Sequence, residues 1–361
     1  MENIKTRWFE TIAKKTNKCY EQPLPPCLEA KANFVDMMVY DGCFVVQLLQ
    51  NGHLNDFIKH GRHVLNEIQY DLLLLENQLP FFVLLELYRM IKPNPEPQRH
   101  ICELGAFALK FFERRSLYLP KNTSIRHLLH LVHTTSNPSH LGTQAEVEKE
   151  VACCFPKNKN LQSSRNWMPS ATELEDAGIH FSGVSIQNMQ NQEQGEKNKF
   201  EITFDNATKE LKIPTLEVDD STEREFRNYM VHEQFLPLGV PTYFVDYVIF
   251  MDELINTGKD VELLRKSKII DNWLGNDEAV TKLFNKLGDS IYYSREDFHY
   301  KNIVIQVNNH CEIKCNIWKW MAKLKKDYFN TPWSPISFLA AFVLLVLTTV
   351  QTIFSLLSYY H

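Results

Sequence analysis

Three histidines, His127, His130 and His133, recur at every third position, so adjacent pairs of them would share one face of a helix. Imidazoles are ready zinc ligands, yet these three spread over about 120° of helix surface and no carboxylate stands beside them in the chain. They are expected to form a partly exposed helix flank, with no metal bound. His232-Glu233 opens like the metalloprotease motif of two histidines four residues apart, but Leu236 stands where the second histidine belongs. Cys311 and Cys315 lie one helical turn apart and, without two further ligands nearby, are expected to pack in a core.

Asp41, Glu76, Asp219, Asp220 and Glu233 are the nearest approach to the paired carboxylates that general acid–base catalysis requires. Helix caps and buried acceptors account for such residues equally well when no nucleophile accompanies them. The 12 glycines are scattered and form neither GxGxxG nor GxxxxGK[ST]. No catalytic residue, no cofactor and no metal ligand is assigned on this basis. A hydrolase or transferase working at a membrane surface is the competing possibility; it requires Asp41, Glu76 and Asp219 or Asp220 to converge on one open polar pocket. Net charge is −5 and no basic face stands out upstream of the C-terminus, so nucleic acid is not an expected partner.

The residues that must organise these groups lie between Leu72 and Tyr88. Two apolar runs meet at the polar elbow Glu76-Asn77-Gln78, and Pro80 then fits the first turn of a second helix, where its missing N–H is not needed. A segment of this kind is expected to be buried. Polar side chains in apolar surroundings must find hydrogen-bond partners, so Glu76, Asn77 and Gln78 are expected to tie neighbouring helices together, with Asp41 and Pro80 completing a structural hub. Gly42, inside the apolar run Phe34 to Gln50, is expected to let a neighbouring helix approach closely.

Further helices are expected near 64–75, 79–90, 101–113 and 124–133, and later near 171–177, 223–235, 243–255, 261–269 and 278–287. Asp220 and Glu223 stand at capping-box spacing before the helix that runs toward Phe235. Phe200 to Phe204 alternates, Asp205 to Thr208 turns and Leu211 to Pro214 returns, the pattern of one small β-hairpin. Residues 296–326 have helical character weakened by the β-leaning Ile303 to Val307. Stretches 137–168 and 187–198 are loop-like and polar. The eight cysteines are irregularly spaced and several sit in apolar helical patterns, which suits reduced core thiols in the cytosol better than a disulfide framework. Met1 to Tyr20 is polar and charged, unlike a signal peptide.

From Ile336 to Leu357 the chain runs without a charge, roughly 30 Å at helical rise. Trp333 precedes this stretch, Tyr359-Tyr360 follow it, and Lys319, Lys323, Lys325 and Lys326 lie on its N-terminal side. These flanks predict a single C-terminal transmembrane helix with the bulk of the chain in the cytosol. The implied division is a short N-terminal segment 1–30, a helical domain 31–318, a basic and aromatic juxtamembrane segment 319–335, the span 336–357 and a tail 358–361. Within the span, Gln351 is a candidate for hydrogen bonding a second helix, and hence for self-association.

The blocks Met37-Met38-Val39-Tyr40-Asp41-Gly42-Cys43-Phe44, Leu75-Glu76-Asn77-Gln78-Leu79-Pro80-Phe81-Phe82 and Ala171-Thr172-Glu173-Leu174-Glu175-Asp176-Ala177-Gly178-Ile179 come in this order. They are followed by Ile213-Pro214, Asp219-Asp220-Ser221-Thr222-Glu223, Glu233-Gln234 and Ile270-Asp271-Asn272-Trp273-Leu274-Gly275. This succession resembles the plant family known as domain of unknown function 247, over about residues 30 to 358. The resemblance implies a mainly α-helical plant protein with one C-terminal transmembrane helix and no established enzymatic activity, some relatives being implicated in pollen–pistil self-incompatibility. Only about forty residues precede the Asp41-Gly42-Cys43-Phe44 block, where family members carry a longer region, so a shortened N-terminus is expected. The fold class expected is mainly α, a helical body with one small β-hairpin and a terminal span. The function expected is non-enzymatic interaction, recognition or signalling, with a lipid bilayer and an unidentified protein as partners; a degenerate duplicate without activity is a further alternative.

Overall fold

The computed structural model describes residues 12, 14–16, 18–20, 31–51, 62–92, 97–113, 124–136, 167–185, 200–237, 239–289, 291–312 and 333–359. The N-terminal half is helical: α1 (Lys31–Asn51), α2 (Arg62–Asp71), a 3-10 turn (Leu75–Asn77), α3 (Phe81–Ile91), α4 (Pro97–Phe111) and α5 (Leu128–Ser136). Helix α1 packs on α3 and α4. An added Cβ at Gly42 would lie 2.5 Å from Leu87 Cδ1, so any larger residue there would force the Leu87 side chain aside where α1 meets α3.

The second half begins with α6 (Ala171–Asp176) and continues through β1 (His180–Val184), β2 (Thr203–Asp205), β3 (Glu210–Pro214) and β4 (Leu216–Val218). It then runs through α7 (Thr222–Gln234), α8 (Tyr243–Leu254), α9 (Gly258–Lys266), β5 (Ile270–Asn272) and α10 (Asp277–Gly288), with a helical stretch over 301–312. Helix α8 is apolar on almost every face and buried accordingly, packed against α7, α10 and the Tyr300 ring. Phe200, Tyr229 and Phe244 stack around its start, with Tyr229–Phe244 centroids 4.4 Å apart and Phe200–Phe244 4.7 Å apart.

The hairpin of β2 and β3 is present, in register Thr203 to Lys212 and Asp205 to Glu210. The sheet is larger than one hairpin, however. Strand β1 joins β3 in parallel, giving the order β1-β3-β2, and β4 pairs with β5 in parallel as a separate two-stranded sheet. Strands of three residues are too short to display an alternation, which is why β4 and β5 leave no pattern in the chain. Gly183 of β1 passes against Lys268 O, and its N–H donates to Ser267 O at 2.7 Å, a contact that any side chain would block.

Ile336 to Leu357 lies within a helix, α11 (Trp333–Tyr359), but the transmembrane expectation is corrected: among the described residues no helix is long and apolar enough to cross a membrane. Thr348, Thr349 and Gln351 interrupt its apolar surface; Thr348 Oγ1 bonds Leu345 O at 2.9 Å and Thr349 Oγ1 bonds Val346 O at 2.7 Å, while Gln351 is exposed. Residues 313–332, with the four lysines, and Cys315, Cys153 and Cys154 lie outside the described residues.

Candidate functional site

A helix begins with N–H groups that have no partner inside the helix, and burying them demands acceptors from elsewhere. In this protein, side chains from distant parts of the chain supply several of them. Gln78 is the first. Its Nε2 donates to Leu72 O at 2.8 Å and Leu74 O at 2.7 Å, closing its own elbow, while its Oε1 accepts from Leu129 N at 2.9 Å in the first turn of α5. Asn77 donates to Asp71 O and is exposed, as is Glu76, so the expectation of a buried elbow is corrected: Gln78 alone of the three is half-buried. Pro80 is buried and immediately precedes α3, and Asp41 is exposed on α1.

The remaining caps of α5 come from histidines. His127 Nδ1 accepts from His130 N at 3.1 Å, as a capping side chain does, and His130 Nδ1 accepts from Arg126 N at 3.0 Å, one residue ahead of the N–H that a capping box would use. An accepting Nδ1 puts the ring proton on Nε2. Burial, reinforced by neighbouring imidazoles and Arg126, pushes His127 down to about 3, and burial with Arg126 and His133 pushes His130 down to about 4, so both rings are neutral.

His232 lies at the centre of the group, its ring centroid 5.1 Å from His127, 5.6 Å from His130 and 5.0 Å from His133. It is buried and likewise held neutral, at about 3, first by desolvation and then by His133 and His130. His232 Nε2 has no hydrogen-bond partner among the described residues, and the ring packs steeply against His127 and His133. His133 Nε2 meets Glu233 Oε1 at 2.8 Å, and both side chains are out of solvent. Glu233 in turn accepts Phe244 N at 3.1 Å and Val245 N at 2.9 Å, the first turn of α8. Desolvation raises its carboxyl to about 8, against the two backbone bonds that favour ionisation.

The same device recurs at α9. Asp260 Oδ2 accepts Thr257 N at 2.8 Å, and its Oδ1 accepts Thr172 N at 2.9 Å and Thr172 Oγ1 at 2.8 Å, so one carboxylate serves the starts of α9 and α6. Burial works against the charge of Asp260, but the bonds from Thr172 and Thr257 hold its carboxyl below the usual range. At α7 the capping-box expectation for Asp220 and Glu223 is corrected. Asp219 Oδ1 accepts Ser221 N at 2.9 Å and Thr222 N at 3.1 Å, whereas Glu223 pairs with Arg227 and Lys286 and Asp220 is exposed.

Among the described residues, no hydrogen bond or ion pair joins any two of Asp41, Glu76, Asp219 and Asp220, and no group of three or more His, Cys, Asp or Glu side chains is placed to hold a metal ion. The structure brings His127, His130 and His133 together with His232 and Glu233, about a hundred residues away. The chain carries no local signal of that meeting beyond the histidine spacing itself.

A family model described as "Plant protein of unknown function", DUF247, matches residues 3–347. The chain belongs to this family. Within it, the chain is similar to the UPF0481 protein At3g47200 of Arabidopsis thaliana, with 29% identity over 382 residues covering 99% of this chain and 74% of that protein. A second Arabidopsis thaliana relative, the UPF0481 protein At3g02645, is 27% identical over 190 residues, covering 52% of this chain and 33% of that protein. No solved structure matches. For this DUF247 member the family assignment brings no established activity.

Proposed function

We propose that this family member is a non-enzymatic recognition protein whose helical body binds another protein. The observation that carries the proposal is an aromatic surface at the end of α7. Phe235 is 73% exposed and Tyr292 is 77% exposed, and Gln234 Nε2 donates to Tyr292 O at 2.9 Å, which holds the two segments side by side. Val231, one turn earlier on α7, and Val240 add exposed apolar surface. Large apolar groups left exposed close together are characteristic of protein-binding surfaces. The buried acidic side chains of Glu233 and Asp260, by contrast, are engaged by backbone N–H groups at helix starts, a structural task.

Proximity labelling in intact plant cells, with a tag at each end of the chain, tests this. Phe235→Ser with Tyr292→Ser should remove the principal labelled proteins at unchanged abundance of the bait. A labelled set identical to that of the unaltered chain would sink the proposal.

A further inference from the structure

The two-stranded sheet carries an outward face that the described residues leave exposed. In β4, Val218 is buried and Glu217 is exposed; in β5, Ile270 is buried and Asp271 is exposed. Glu217 and Asp271 are register partners, so two carboxylates of like charge stand directly opposite one another. Trp273 N donates to Val218 O at 2.8 Å and extends the ladder by one residue. The period of two then places Trp273, 69% exposed, on the same face as Asp271.

Opposed like charges weaken a sheet and an exposed indole forgoes burial, so the folded chain alone gains nothing from this arrangement. Among the described residues, the basic side chains just before β5 are engaged with other partners: Arg265 pairs with Asp277 at 3.2 Å and Lys266 with Glu262 at 2.7 Å. Lys268, at the opposite end of β5, forms no ion pair with Glu217 or Asp271. Elsewhere the protein completes the same kind of surface internally. Arg224 lies 4.2 Å from the Tyr70 ring centroid and pairs with Glu67 at 3.0 Å, one guanidinium serving an aromatic face and a carboxylate together.

We propose that the face formed by Glu217, Asp271 and Trp273 binds a basic segment of a partner protein, an arginine side chain lying on the indole and bridging the two carboxylates. The charge of the face selects this occupant over an acidic peptide or a nucleic acid. The proposal goes beyond the aromatic surface at Phe235 and Tyr292 and does not rest on it.

The test uses the full chain and a fluorescent heptapeptide, Gly-Arg-Gly-Arg-Gly-Arg-Gly, followed by anisotropy, with the corresponding Lys and Glu peptides beside it. At about 50 mM salt the Arg peptide should bind best, the Lys peptide less well and the Glu peptide not at all. Trp273→Ala should weaken binding of the Arg peptide by roughly threefold to tenfold. Glu217→Gln with Asp271→Asn should weaken it similarly, while the thermal midpoint stays level or rises because a repulsion has been removed. Opposite signs of that kind separate a binding role from a structural one. The proposal is overturned if the Arg peptide does not bind, if the Glu peptide binds as well, if binding ignores these substitutions, or if affinity and thermal midpoint fall together.

Discussion

Glu233 and the pair Glu217 and Asp271 are the same functional group in opposite settings. Glu233 is out of solvent, meets one imidazole and two backbone N–H groups, and sits where α5, α7 and α8 converge. Glu217 and Asp271 face solvent across a short sheet with no ion-pair partner among the described residues. A buried carboxyl without partners would cost several kcal/mol, so its neighbours are fixed by folding. An exposed carboxyl is tolerated unpaired because water solvates it, and its preference can be directed outward to a partner. The difference separates residues that hold this protein together from residues free to recognise something else.

The comparison breaks most directly at Glu233. Glu233→Ala strands Phe244 N, Val245 N and His133 in the interior and is expected to cost about 3 kcal/mol, read from urea denaturation, against about 1 kcal/mol for Glu233→Gln, which keeps an acceptor. Equal losses for the two would mean that the junction needs both carboxyl oxygens and that a single amide oxygen cannot stand in for them.

A smaller effect follows from pH. Glu233 at about 8, Asp246 at about 7 and Glu253 at about 7 are all raised by burial above their ordinary 4.5 or 3.8. A carboxyl whose folded pKa is raised contributes stability in full below its unfolded pKa and loses it as pH rises through the folded one. His127, His130 and His232 act in the opposite direction, since folded values of about 3, 4 and 3 subtract stability as pH falls below 6.5. The two sets oppose each other in mild acid, and above about pH 6.5 the carboxyls act alone. The urea midpoint should therefore fall between about pH 6.5 and about pH 8.5, and Glu233→Gln should flatten the upper part of that slope. A midpoint that rises over this window would mean that Glu233 is ionised when folded.

The smallest effect belongs to the exposed face. Trp273→Ala should change folding stability by less than about 0.5 kcal/mol, because an indole already in water has little burial to lose. A loss near 2 kcal/mol would place Trp273 with the structural residues and erase the contrast.

Much of the helical body can be read from periodicity, since an amphipathic or wholly apolar run carries its own helix within one or two turns. Helices α3, α8 and α10 lie within a residue or two of their expected places, and the β2–β3 hairpin shows its alternation and its turn. Gly42 is likewise legible, because a glycine in an otherwise unbroken apolar helix has few purposes beyond close packing. Other features escaped. Asp219 rather than Asp220 caps α7, as adjacent aspartates look alike until the backbone chooses one, and β1, β4 and β5 are defined by parallel partners far away in sequence.

The sequence by itself determined family, helical character, the elbow at Gln78 and the scarcity of any catalytic motif, because composition, spacing and capping are local properties that neighbouring residues encode together. Only the tertiary structure decided that His133 meets Glu233, that Asp260 serves two helix starts and that Glu217 faces Asp271. Those pairings depend on which surfaces lose water to each other, and desolvation is a property of the packed chain rather than of any stretch within it.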